Sequence, residues 1–95
     1  MRLLLFGSEK CFACQQLKKE FQKRQIPYIY VDVEKESQKA IDYMITSLPT
    51  IIIENGKGEI KDMYIGHGQG VWKFLEKYKL VKGDKWLQKI YKIFL

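Results

Sequence analysis

The stretch FGSEKCFACQQLKKEF, residues 6–21, contains both cysteines of this 95-residue chain, Cys11 and Cys14. Apolar residues recur after Cys11 at intervals of three and four positions, at Cys14, Leu17 and Phe21. This spacing is that of one face of a helix. The stretch therefore predicts a helix that begins at the cysteines and buries the side on which Cys14 lies.

Patterns on either side of this helix predict an α/β domain. Strands are predicted at residues 3–6, 28–33, 50–53 and 59–65, and further helices at residues 71–78, at 85–95 and within 34–46, where Ala40, Ile41, Met44 and Ile45 share helical spacing. The first helix is predicted to end at Ile26-Pro27, and the turn signal Asn55 to Gly58 makes the last two strands a hairpin. Because two parallel strands need a crossover helix between them, this order predicts a four-stranded mixed sheet flanked by helices.

The chain is predicted to form one domain with a C-terminal extension. Residues 1–81 make up the domain, and residues 82–95 a helical extension packed on it. Asp84 can cap this extra helix, whose apolar residues share one side: Trp86, Leu87, Ile90, Tyr91 and Phe94. Since a short isolated helix is only marginally stable in water, we expect it to dock on the domain, with dimerisation or membrane contact as alternatives.

Charge and hydropathy argue against several classes of partner. The net charge is +6 and the pI about 9.3, but the lysines are spread along the chain in runs of two at most, which predicts no nucleic-acid partner. No window approaches the ~20 apolar residues of a membrane span, and the apolar run in MRLLLF is too short for an export signal. We therefore expect a cytoplasmic monomer with no membrane and no nucleic-acid partner.

Cys11 and Cys14 could form a redox couple, half of a metal site, or two inert buried thiols. A structural zinc site needs four cysteine or histidine ligands, whereas the chain has two cysteines and one histidine, His67. No metal site is therefore predicted. Unpaired backbone N–H groups in the first turn of a helix stabilise a thiolate at Cys11, while Cys14 lies one turn deeper. A redox couple is favoured, with Cys11 as the nucleophile and Cys14 as the resolving thiol.

These elements resemble the thioredoxin and glutaredoxin superfamily over residues 1 to 80, and most closely its short glutaredoxin-like redoxins. The resemblance rests on a CxxC that opens a helix after a strand, on the segment Ser47-Leu48-Pro49-Thr50 before the hairpin, and on Gly66 before a helix. It implies a thioredoxin fold. It also implies a thiol-disulfide oxidoreductase that reduces protein disulfides by dithiol exchange.

The resemblance further implies a substrate site beside the cysteines. Pro49 would be cis and face the CxxC, and Leu48 would offer its backbone N–H and C=O to an extended substrate. Other predicted substrate-site residues flank this groove: Lys10, Phe12, Ala13, Gly66 and His67. No bound cofactor is implied. The implied partners are protein disulfides and an external reductant, either a thioredoxin-reductase-like flavoprotein or glutathione.

The chain departs from both branches of this superfamily. Thioredoxins have a buried Asp at the position of Leu5, and glutaredoxins have a basic residue at the position of Ser8. Glutaredoxins also have an acidic residue in the segment that is Gly66–Gln69 here. We therefore expect dithiol partners to be preferred to glutathione. The alternatives are a glutathione-dependent glutaredoxin and a redox-inactive or metal-binding adaptor of thioredoxin fold.

Overall fold

The computed structural model describes residues 1–78, which form one four-stranded sheet with three helices. The elements are β1 (Arg2–Gly7), α1 (Phe12–Lys23), β2 (Ile29–Asp32), α2 (Ser37–Asp42), β3 (Thr50–Glu54), β4 (Ile60–Ile65) and α3 (Gly70–Glu76). The strand order is β2-β1-β3-β4, with β1 parallel to β2 and antiparallel to β3, and β3 antiparallel to β4. The predicted mixed sheet flanked by helices is confirmed. The predicted extension over residues 82–95 lies outside the described residues.

The central strand β1 is buried on both faces, as its continuous apolar run predicts. Leu3 and Leu5 pack in one core cluster with residues of α1 and α3, while Leu4 and Phe6 pack in a second cluster on the other face. Successive side chains of a strand point to opposite faces, so an uninterrupted apolar run suits a strand covered on both sides. This burial anchors the end of β1, from which the cysteine loop leaves.

Helix α1 ends slightly before the predicted stop at Ile26-Pro27. Gln25 has a left-handed φ of 58°, and the N–H of Ile26 donates to the carbonyl oxygen of Phe21 over 2.9 Å. This is the hydrogen bond of a Schellman motif, which satisfies a carbonyl that the helix leaves unpaired. Ile26 is 3% exposed, so the turn also returns an apolar side chain to the core.

Helix α2 is shorter than its apolar pattern predicts, and part of that pattern is not buried. Ile41 and Met44 are 65% and 75% exposed. The chain turns at Met44, which has a left-handed φ of 56°, and the N–H of Ile45 donates to the carbonyl oxygen of Ala40 over 2.9 Å. The turn directs Ile45 to the sheet, while Ile41 within α2 and Met44 at the turn remain exposed. Within residues 1–78, no helix is long and apolar enough to cross a membrane.

Candidate active site

The cysteine pair lies where β1 passes into α1. Cys11 and Cys14 are joined by a disulfide, with 5.2 Å between their Cα atoms. Cys11 is partly exposed, whereas Cys14 is fully buried, with 0% of its surface accessible. Of the two sulfur-bearing residues, Cys11 is therefore the one that a large partner can reach.

Cys11 is the N-cap of α1, and its side chain takes part in the cap. Its backbone is extended, and its Sγ accepts a hydrogen bond from the backbone N–H of Cys14 over 3.1 Å. The first N–H groups of a helix have no partner within the helix, and this donor is one of them. Hydrogen bonds to an ionised acceptor are stronger than those to a neutral one, and the helix dipole also favours negative charge here. In the reduced protein, the same geometry would favour negative charge on the Cys11 sulfur.

Ser8 holds the loop between β1 and the first cysteine. Its carbonyl oxygen accepts hydrogen bonds from the N–H of Cys11 over 3.1 Å and from the side-chain amide of Gln15 over 2.9 Å. Its hydroxyl accepts from the N–H of Lys10 over 3.1 Å. Ser8 itself is 5% exposed. Sequence reasoning missed this role, although a serine just before a helix is a known signal for such side-chain-to-backbone bonds.

Gly7 is a second residue whose importance the sequence pattern did not reveal. A Cβ built on Gly7 would lie 2.8 Å from the Cβ of Cys14 and 2.9 Å from its Sγ. Real Cβ atoms do not approach other side chains this closely, so the position needs a residue without a side chain. The absence of a side chain lets Cys14 pack directly against the end of β1.

The predicted substrate residues Leu48 and Pro49 lie at the same end of the sheet as the cysteine loop. Thr50 at the start of β3 pairs with Phe6 near the end of β1, which brings the two loops to the same end of the sheet. The Leu48–Pro49 bond is cis, as the resemblance implies, with Pro49 buried and Leu48 partly exposed. The N–H of Gly66 donates to the carbonyl oxygen of Pro49 over 2.9 Å, which ties the segment after β4 to this loop.

The remaining predicted site residues differ in their relation to the cysteines. Lys10 and Phe12 are exposed, with Phe12 at 76%, and Ala13 is partly buried within the CxxC. His67 is exposed and lines a surface cavity beside α1, among residues that include Glu20 but neither cysteine. The cysteine loop and the Leu48–Pro49 loop thus lie at the same end of the sheet, while His67 lines the cavity beside α1. Residues 1–78 contain no cluster of three His, Cys, Asp or Glu side chains that could hold a metal ion.

Comparison with solved structures identifies the fold. No protein-family model matches the sequence, and no curated protein matches it. A structure of Plasmodium falciparum thioredoxin is 26% identical, with a TM-score of 0.71 over 81% of this chain and 84% of that chain. The solution structure of oxidised thioredoxin from the same organism is 27% identical, with a TM-score of 0.69 over 80% of this chain and 78% of that chain.

A third structure, oxidised mitochondrial thioredoxin 3 from Saccharomyces cerevisiae, has a TM-score of 0.63 at 21% identity and covers 84% of this chain and 74% of that chain. At that identity the likeness concerns the fold alone. Sheet order, helix placement and the CxxC disulfide at the end of β1 define a small thioredoxin-fold protein. This fold and the CxxC at the start of α1 are those of the thioredoxin and glutaredoxin superfamily, which confirms the resemblance that the sequence predicts.

Proposed function

We propose that this protein reduces protein disulfides by dithiol exchange, with Cys11 as the nucleophile and Cys14 as the resolving thiol. The supporting observation is the asymmetry of the pair. Cys11 is accessible and its Sγ accepts the 3.1 Å hydrogen bond from the N–H of Cys14, whereas the Cys14 side chain is buried. A nucleophile must reach its substrate as a thiolate, and a resolving thiol needs only to reach its neighbour.

The exchange proceeds in two steps that conserve atoms and electrons. The Cys11 thiolate attacks one sulfur of a substrate disulfide, a mixed disulfide forms, and the other substrate sulfur leaves as a thiolate. The Cys14 thiol then gives its proton to water and its sulfur attacks the Cys11 sulfur, the mixed disulfide breaks, and the second substrate sulfur leaves and takes up a proton. The substrate gains two electrons and becomes a dithiol, while the Cys11–Cys14 pair is oxidised to the disulfide seen in the structure.

The substrate would lie across the surface formed by the cysteine loop and the Leu48–Pro49 segment. In this proposal the backbone of Leu48 pairs with an extended segment of the substrate, and the exposed Phe12 ring contacts its side chains. The oxidised pair must be reduced again by an external dithiol donor, which we propose is a thioredoxin-reductase-like flavoprotein. A cytoplasmic setting, where thiols are kept reduced, suits this direction of exchange.

An insulin-reduction assay with dithiothreitol as the electron source tests the proposal. We expect turnover by the wild-type protein and loss of turnover in Cys11→Ser. Cys14→Ser is the matched variant, because it keeps the nucleophile Cys11 and removes only the thiol that resolves the mixed disulfide. It should accumulate a mixed disulfide through Cys11, detectable by mass spectrometry. Turnover by Cys11→Ser, or trapping through Cys14 instead, would reverse the assignment, and an inactive wild-type protein would reject the function.

A further inference from the structure

Tyr30 has a buried hydroxyl without a hydrogen-bond partner. It lies in β2 directly opposite Leu5 of β1, and its ring packs on the core cluster that α1 and α3 cover. Among the side-chain oxygen and nitrogen atoms of residues 1–78 that are buried, the Tyr30 hydroxyl oxygen is the one with no partner. Buried polar groups are nearly always hydrogen-bonded, so an exception calls for a partner that exists in another state of the protein.

The Tyr30 hydroxyl and the buried sulfur of the candidate active site both lie close to Gly7. The point at which a Cβ of Gly7 would stand is 2.9 Å from the Sγ of Cys14 and 3.0 Å from the Tyr30 hydroxyl oxygen. Both atoms therefore border the small space that Gly7 leaves open. Lys18, one helical turn beyond Cys14, places its ammonium 4.1 Å from the centre of the Tyr30 ring.

The Cys14 sulfur becomes a better hydrogen-bond acceptor for the Tyr30 hydroxyl when the disulfide is reduced. In the oxidised protein the Cys14 sulfur belongs to a disulfide, which is a poor hydrogen-bond acceptor, whereas a thiolate is a charged and strong one. We propose that the Tyr30 hydroxyl donates a hydrogen bond to the Cys14 sulfur once the disulfide is reduced, and thereby accelerates the resolving step. This inference rests on the proposed dithiol exchange. It assigns to Tyr30 the role of positioning residue for the attack of Cys14 on the mixed disulfide.

The surroundings of Tyr30 keep its hydroxyl a donor. Burial raises the pKa of the Tyr30 phenol, the nearby Gln15 amide opposes this more weakly, and the negative charges of Asp32 and Glu9 raise it further. The Gln15 side-chain amide already donates to the carbonyl oxygen of Ser8 over 2.9 Å. The phenol is therefore protonated at neutral pH and can donate a hydrogen bond.

A hydrogen bond from Tyr30 affects the ionisation of Cys14 in the resolving step. Cys14 is a thiol when the mixed disulfide forms, and its S–H proton must pass to water before its sulfur attacks Cys11. The S–S bond to the substrate then breaks, the electron pair goes to the substrate sulfur, and that sulfur takes up a proton from water. The Tyr30 hydroxyl keeps its own proton throughout. It raises the fraction of Cys14 present as thiolate, on which the rate of attack depends.

Reaction of the reduced protein with the aromatic disulfide of thionitrobenzoate separates the two steps. The first thionitrobenzoate released reports attack by Cys11, and the second reports resolution by Cys14. We expect Tyr30→Phe to slow the second release about tenfold, the usual effect of one hydrogen bond to a charged group, and to leave the first unchanged. Tyr28→Phe is the control, because Tyr28 also packs on this core cluster but its hydroxyl accepts from Gln22 over 3.1 Å.

Two further measurements distinguish this role from a structural one. The unfolding midpoint of the oxidised form should not fall in Tyr30→Phe, because the hydroxyl has no partner to lose in that state. The reduction potential should become more negative, because only the reduced form loses a hydrogen bond. An unchanged second release in Tyr30→Phe, or equal slowing of both releases, would overturn the inference while leaving dithiol exchange intact. Absence of a second release in the wild-type protein would overturn both proposals.

Discussion

Gly7 and Cys14 are packed so closely that a Cβ on residue 7 would stand 2.8 Å from the Cβ of Cys14. The contact joins the last residue of β1 to the first turn of α1, so the buried cysteine is held by the backbone of the central strand. The carbonyl oxygen of Gly7 also accepts the N–H of Val33 over 2.9 Å, which restricts movement of the strand end. The position of Cys14 therefore depends on the absence of a side chain at residue 7.

Replacing Gly7 with alanine should displace Cys14. The new methyl group meets the Cβ and the Sγ of Cys14 inside normal contact distance, and overpacking of this kind costs about 1–3 kcal/mol. We expect a lower free energy of unfolding in denaturant titrations and slower insulin reduction. Gly56→Ala is the matched control, because a Cβ there would have no atom within 4 Å. Equal stability of the two variants would show that the contact relaxes without cost.

Phe12 should contribute to binding of protein substrates and little to folding. Its ring is 76% exposed beside the reactive cysteine, and an apolar ring covered by a partner favours association. Phe12→Ala should raise KM for insulin about two- to fivefold without lowering the melting temperature. Ile41→Ala, which removes a comparably exposed apolar side chain from α2, should leave KM unchanged. A matching rise in KM in Ile41→Ala would show that the effect is not specific to the surface around the cysteines.

Reduced glutathione should be a poor electron donor for this protein. The basic residue of the glutaredoxin pattern is replaced by Ser8, and the acidic residue is absent from Gly66–Gln69. Each missing charged contact removes about 1.5–3 kcal/mol of binding energy. Turnover with glutathione and glutathione reductase should therefore be at least about tenfold lower than turnover with a thioredoxin-reductase system. Comparable rates with the two donors would favour a glutaredoxin instead.

A buried carboxylate on β3 should make the stability of this protein depend on acid pH. Glu54 is 0% exposed and accepts a hydrogen bond from the Nε of Arg2 over 3.0 Å. Its carboxylate also accepts a hydrogen bond from the Tyr43 hydroxyl. Burial by itself would raise the pKa of Glu54, but the hydrogen bonds from Tyr43 and Arg2, together with the positive charges of Arg2 and Lys39, outweigh it and hold that pKa below its ordinary value of 4.5. The folded protein therefore binds this proton less readily than the unfolded chain does.

It follows that the contribution of Glu54 is fully present above pH 4.5 and is lost as the pH falls through the lower folded pKa. Glu54→Gln should lower the free energy of unfolding near neutral pH by about 2 kcal/mol and flatten its decline on acidification. Urea titrations at several pH values measure both effects. Glu59→Gln, at an exposed position in the turn before β4, should keep the wild-type slope. A wild-type slope in Glu54→Gln would assign the acid sensitivity to other carboxylates.

Local patterns were sufficient to predict the element order and the location of the cysteines. The apolar run of β1 and the spacing of Leu17 and Phe21 report burial within single elements, and both are buried as predicted. The same reasoning was less successful where a turn intervened. Ile41 and Met44 share helical spacing, yet both are exposed, and Met44 lies beyond the end of α2 in a left-handed turn. Periodicity describes a helix only as far as the helix continues.

Contacts between distant parts of the chain depended on tertiary structure. Tyr30 looks like an ordinary strand residue in the sequence, and only its register opposite Leu5 turns the hydroxyl toward Gly7 and Cys14. A slip of one residue between β1 and β2 would send the same side chain to the other face of the sheet. Local periodicity thus determines which side chains are buried within an element. Strand order and register, which arise from the packing of the whole sheet, determine which buried groups meet.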